Sequence, residues 1–164
     1  INILVSYSFP TIHINNYGGK IVPYAIALHN EKKFSKFNIS SMRGGGALNS
    51  FENSLDHKGK KYKEIHSQGV FGISLDEFIE NLSFIPNHLK IDVDGNESLI
   101  LKGSKRYLGN ALLKSILVEL DEERLDYKDT IKFIESFGFK LKEKTNSEFN
   151  AGEFASTYNH IFRK

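Results

Sequence analysis

An α/β fold, with a mainly parallel sheet that ends in an antiparallel hairpin, is what the sequence predicts, and three observations carry the prediction. From position 74 onward, segments with helical apolar spacing alternate with short apolar runs of strand type, the order of right-handed β-α-β crossovers. The last two such runs, 139–144 and 158–163, follow one another across the polar stretch 145–157, as the arms of a hairpin do. The chain is 164 residues long, 40% hydrophobic and 26% charged, enough for one globular domain with a substantial core.

The elements follow in order. Residues 20–28 (KIVPYAIAL) read as a strand, although Pro23 lacks the N–H that a fully paired backbone needs. Residues 33–39 (KFSKFNI) form a second strand. The stretch 40–67, with Gly44, Gly45 and Gly46, is the longest weakly structured one, and the glycine triplet has no strand before it or helix after it to make a ligand cradle. Residues 74–82 (SLDEFIENL) are a short amphipathic helix: Ser74 and Glu77 form a capping box, and Leu75, Phe78, Ile79 and Leu82 follow at helical spacing. Residues 89–93 are a buried strand, and 97–108 (ESLILKGSKRYL) a helix weakened at Gly103. Residues 114–120 (KSILVEL) are another buried strand, and 126–137 a helix stopped by Gly138 at the position after its C-cap.

Composition excludes several classes. Twenty-two basic and 20 acidic residues are mixed along the chain and leave a net charge of +2, which indicates no polyanionic partner such as nucleic acid. The absence of cysteine removes disulfides and thiolate metal sites, and it fits a reducing compartment, the cytoplasm by default. No apolar run reaches the roughly 18–20 residues that span a bilayer, so no membrane insertion is expected. The six histidines show no metal-ligand spacing and are expected on surfaces or loops, and no metal is assigned. Tyr7, Phe9, Phe34 and Phe37 read as core or strand-face aromatics rather than a base-stacking platform. The chain starts at Ile1 rather than Met, which suggests upstream sequence.

Chemistry is expected at 89–97, LKIDVDGNE, where Lys90, Asp92, Asp94 and Glu97 crowd one glycine at the end of an apolar run. Charges of this kind are not buried cheaply inside a strand, so they belong at its carboxyl end, where open α/β sheets bind ligands. A calcium loop starting at Asp92 fails, because Glu97 stands where glycine is required and Gly103 where a bidentate glutamate is required. A haloacid-dehalogenase-like phosphatase would use Asp92 as nucleophile and Asp94 as acid and base with magnesium, but its loop usually opens the domain and continues with a hydroxyl residue, whereas Asn96 follows here. A turn that caps the next helix explains Asn96 well and Asp92 poorly.

The segment LKIDVDGNESLILKG resembles the hallmark of the FkbM methyltransferases, a strand of the form IKIDVEGxE followed by a helix with LxG. SLDEFI at 74–79 is similar to the family's TLDxF, YAIAL at 24–28 to its xxALS strand, and SILVEL at 115–120 to its xxIxxE strand. Asp94 replaces the commoner Glu, and His29 the usual small polar residue after the third strand.

The resemblance implies a Rossmann-like class I fold, S-adenosylmethionine as cofactor, and methyl transfer to a hydroxyl of a small-molecule or glycan acceptor. Asp92 is then the first choice to orient the acceptor or act as base, with Glu97 and Lys90 completing the site. Ala27 and Leu28 would line the adenine pocket, and Glu119 is either a strand-end site residue or a surface pair. The glycine loop after the family's first strand and the acidic residue after its second have no counterpart ahead of position 20. Residues 1–164 therefore look like a single FkbM-like domain truncated at the amino terminus, an incomplete fold in which residues 1–18 are the helix after the second strand. A first strand missing between 20–28 and 89–93 would leave two inner edges unpaired, so the isolated chain is expected to rearrange its sheet or to be poorly stable. The other reading, outside enzymes, is a methyltransferase-like domain that binds without catalysis.

Overall fold

A computed structural model of the chain describes residues 2–5, 9–41, 49–56, 58–82, 84–146 and 152–164. The glycine triplet 44–46 lies outside the described residues. The amino-terminal stretch is not one helix. It is a strand, β1 (Asn2–Val5), then a helix, α1 (Phe9–Ile14), then β2 (Ile21–Tyr24), with β1 and β2 parallel in register Asn2↔Ile21 to Val5↔Tyr24. The apolar, partly β-branched run Ile3–Leu4–Val5 suits extended chain. Pro10 falls in the first turn of α1, where a missing N–H has no helical partner to lose.

The strand expected over 20–28 is divided between β2 and β3 (Ala27–His29), which enter different sheets. Pro23 is thereby kept in a two-stranded sheet, clear of any interior strand. β4 (Lys33–Ile39), β5 (Ser50–Phe51) and β6 (His66–Ser74) build a second sheet with β3, in the order β3-β6-β4-β5. β6 is parallel to β3 and antiparallel to β4, and it was hidden in the sequence by a polar start and two glycines. Gly72 is there because a β-carbon would lie 2.7 Å from the Phe51 ring, which packs with Ala27 and Val70 in a small core of its own.

Helix α2 (Leu75–Glu80) starts at the predicted cap: the Glu77 N–H donates to Ser74 Oγ at 3.2 Å, and the hydroxyl donates to Glu77 Oε2 at 2.8 Å. Then come β7 (His88–Ile91), α3 (Glu97–Lys102), α4 (Lys105–Gly109), β8 (Ser115–Asp121), α5 (Tyr127–Glu135), β9 (Lys140–Asn146), a 3₁₀ turn (Gly152–Phe154) and β10 (Thr157–Arg163). The helix expected over 97–108 is broken in two at Gly103. A β-carbon there would fall 2.3 Å from the His29 carbonyl oxygen and 2.9 Å from Asn30 Cα, so glycine allows the helix to press against the end of β3. Gly138 ends the turn after α5 with φ +84°, as its place past a helix end predicts.

The third sheet runs β7-β8-β10-β9, and the final hairpin is present, with β10 inserted between β8 and β9. The sheets are mixed rather than mainly parallel. Parallel pairing joins β1 to β2, β3 to β6 and β7 to β8, while β4 and β10 run antiparallel to both of their neighbours. Helices α3 to α5 and β7, β8 and β10 enclose the main core, in which Leu101, Leu108, Leu113, Ile116, Val118, Ile134 and Phe162 are wholly buried. Two histidines depart from the surface role expected of them: His29 and His160 are both buried. His160 donates from Nδ1 to the Tyr158 carbonyl (2.9 Å), and its Nε2 lies 3.1 Å from the Tyr127 hydroxyl. Among the described residues no helix is long and apolar enough to cross a membrane.

Candidate active site

The site grows from the alternation of β7 and β8. Leu89 and Ile91 turn to the core, so Lys90 and, one step beyond the strand, Asp92 take the opposite face. Lys90 Nζ lies 2.8 Å from Asp92 Oδ2, with the two side chains 62% and 48% exposed. An ion pair so open adds at most about 1 kcal/mol, but it fixes where the Asp92 carboxylate points. β8 runs parallel with Ile91 opposite Val118, which brings Glu119 level with Asp92 on the same face. The Glu119 and Asp92 carboxyl groups lie close together. Partial burial first, and then the charges of Asp92 and Asp94, push the Glu119 carboxyl above the ordinary glutamate range.

The loop after β7 turns on Gly95, at φ +101°, a conformation that a side chain would disfavour. Its N–H is shared between the Val93 carbonyl and Glu97 Oε1, both at 3.1 Å. Asp94 Oδ2 accepts the Asn49 N–H at 3.0 Å, and the Asn96 amide reaches the Phe51 carbonyl at 3.4 Å, so the β5 segment is strapped across the loop. The capping explanation of Asn96 is thus corrected: it occupies the N-cap of α3, but its side chain makes no capping bond.

Glu97, the first residue of α3, is only 5% exposed. A carboxylate at a helix start is ordinarily favoured. Here burial dominates and raises its pKa to about 8, against the pull of the Gly95 N–H and the Arg124 guanidinium and with a further push from Asp94. Arg124 is held by Asp126, Nε to Oδ1 at 2.9 Å and Nη2 to Oδ2 at 3.3 Å, and Ser98 Oγ donates to the same carboxylate at 2.9 Å. Glu97, Asp121, Arg124 and Thr157 line a cavity of about 20 Å³ together with Val93, Asp94, Glu119 and Phe154.

Of the residues expected in the site, Lys90 and Asp92 meet directly and Glu97 lies behind the same loop. Ala27 and Leu28 do not join them: Ala27 belongs to the small core with Phe51, and Leu28 packs on the main core. Among the described residues neither side chain reaches the Asp92 cluster, and the Gly95 amide is used within the loop. No group of three or more His, Asp or Glu side chains among the described residues is arranged to hold a metal ion. Asp121, Arg124 and Thr157 were not singled out by sequence reasoning. For Asp121 a signal existed, since it directly follows the strand expected over 114–120, which carries Glu119.

The likeness to known proteins agrees with this architecture. The sequence model of the methyltransferase FkbM domain matches residues 2–141. No curated protein matches the chain. Among solved structures, the crystal structure of methyltransferase FkbM from Methylobacillus flagellatus KT superposes with a TM-score of 0.57 at 11% identity, a likeness of fold, over 99% of this chain and 35% of that one. The present chain thus spans about a third of the length of that relative. On the extent of the domain match, the chain belongs to the FkbM methyltransferase domain family.

Proposed function

We propose that this chain supplies the acceptor side of an S-adenosylmethionine-dependent O-methyltransferase, which places a hydroxyl of a small-molecule or glycan acceptor against Asp92. The observation that carries the reading is the meeting of Asp92 and Glu119 at the carboxyl ends of two adjacent parallel strands, in a chain of this family. When bound, the cofactor would supply the electrophilic methyl group. Asp92 accepts the hydroxyl proton as the oxygen becomes nucleophilic, and Lys90 keeps the carboxylate oriented. Glu119, level with Asp92 on the adjacent strand, places a second carboxyl beside it, and burial together with the Asp92 charge holds that carboxyl above the ordinary glutamate range. The phosphatase reading gains nothing from these contacts, because the Asp94 carboxylate it needs as acid and base accepts the Asn49 amide.

The test is transfer of labelled methyl to a panel of hydroxyl acceptors by the full-length protein. Asp92→Asn is expected to lower kcat by about a hundredfold or more with little change in KM or melting temperature, the size expected of a lost general base. Activity within threefold of wild type would remove Asp92 from the chemistry.

A further inference from the structure

The Thr157 hydroxyl is the observation that leads beyond a general acceptor site. Thr157 is 4% exposed, and its Oγ1 is buried with no hydrogen-bond partner. A buried hydroxyl left unpaired costs roughly 1–3 kcal/mol, and such groups are rare enough to need a reason. Thr157 starts β10 opposite Asp121, the last residue of β8, and it lines the small cavity that Glu97 closes from the other side. The cavity holds about 20 Å³, room for a single oxygen-sized group. Its inner wall is buried, with Glu97 at 5% and Asp121 at 3% exposure, while Glu119 is half-buried and borders both the cavity and Asp92.

We infer that this cavity seats one hydroxyl of a neutral polyol whose second hydroxyl is presented to Asp92, with Thr157 and Glu97 as the residues that determine acceptor specificity. The inference rests on the methyltransferase reading above. The lining selects the ligand class. Thr157 both donates and accepts, Asp121 accepts, and Glu97 keeps its proton near neutral pH and so donates as well. A hydroxyl, itself a donor and an acceptor, satisfies all three. A phosphate or carboxylate would be placed beside Asp94, Glu119 and Asp121, while Arg124, the cation of the lining, already spans the Asp126 carboxylate, and a quaternary ammonium is too large for the space and has no N–H to give. Glu119 borders both the cavity and Asp92, so a single molecule can present one hydroxyl to each.

The experiment measures binding to the full-length protein by saturation-transfer NMR, with methyl glycosides of glucose, galactose and mannose as probes and inorganic phosphate and tetramethylammonium as counter-probes. At least one glycoside is expected to bind and neither ion to compete. Thr157→Val, which keeps the shape and removes the hydroxyl, should weaken that glycoside about fivefold, the effect of one neutral hydrogen bond. Thr157→Ser should restore affinity to within twofold, which separates lost recognition from a disturbed strand. Unchanged affinity in Thr157→Val, failure of Thr157→Ser to restore it, binding of either ion at the glycoside site, or no glycoside binding at all would overturn the inference. Methyl transfer measured alongside separates the two readings. Glycosides that bind through Thr157 without being methylated leave the cavity standing and refute the transferase, whereas methyl transfer whose KM ignores Thr157→Val does the reverse.

Discussion

Glu97 combines a helix start, which favours a carboxylate, with burial, which opposes one, and burial is the stronger by several pKa units. The consequence for stability has a definite sign. The folded pKa of about 8 lies above the unfolded value near 4.5, so the folded state binds the proton more tightly. The contribution is complete below about pH 4.5 and is lost as pH rises to 8, a few kcal/mol at most. Denaturant titrations of wild type and Glu97→Gln at pH 5 and pH 8 should show the variant gaining relative stability at the higher pH. An equal difference at both values would mean that Glu97 is ionised in the fold. Asp92 is the opposite case, open to solvent, paired with Lys90 and beside Glu119, so its replacement should leave stability little changed while it lowers turnover by about a hundredfold.

At the scale of elements, two glycines set how closely the layers approach. Gly103→Ala would drive a methyl into the His29 carbonyl across α3 and β3, and 1–3 kcal/mol of destabilisation is expected in urea unfolding. A loss below 0.5 kcal/mol would show that the helix break has slack. Ser74→Ala removes the cap of α2 and should lower stability by about 1 kcal/mol in the same measurement. These elements also show what was legible beforehand. Capping at Ser74, the apolar runs of β7 and β8 and the glycine after α5 are local signals, and their elements lie within a few residues of where the sequence puts them. β6 and the division of 20–28 into two strands depend on partners far along the chain, which no local pattern states. In the site, Asp92, Lys90 and Glu97 were visible because they are adjacent in sequence. Thr157 and Arg124 reach the same cavity only through the pairing of β10 with β8 and the turn before α5, so nothing near them announced it.

Across the whole molecule, stability should be unevenly distributed. β8 and β10 each pair on both sides and flank the main core, β7 pairs with β8 alone among the described residues, and β1 with β2 form a sheet of two strands. Two-stranded sheets are marginal by themselves. Hydrogen exchange is therefore expected to be slowest in β8 and β10 and fastest in β1 and β2, and equal protection throughout would contradict that gradient. With β2 and β7 each paired on one side among the described residues, residues 1–164 are also expected to melt without one sharp transition. The central claim, that an acceptor oxygen is delivered to Asp92 at the ends of β7 and β8, is tested most directly by a crystal structure of the full-length protein with its unmethylated acceptor. The acceptor hydroxyl is expected to donate to the Asp92 carboxylate at roughly 2.6–3.2 Å, with a second hydroxyl beside Thr157. An acceptor bound elsewhere, with Asp92 still paired only to Lys90 and Glu119, would contradict it.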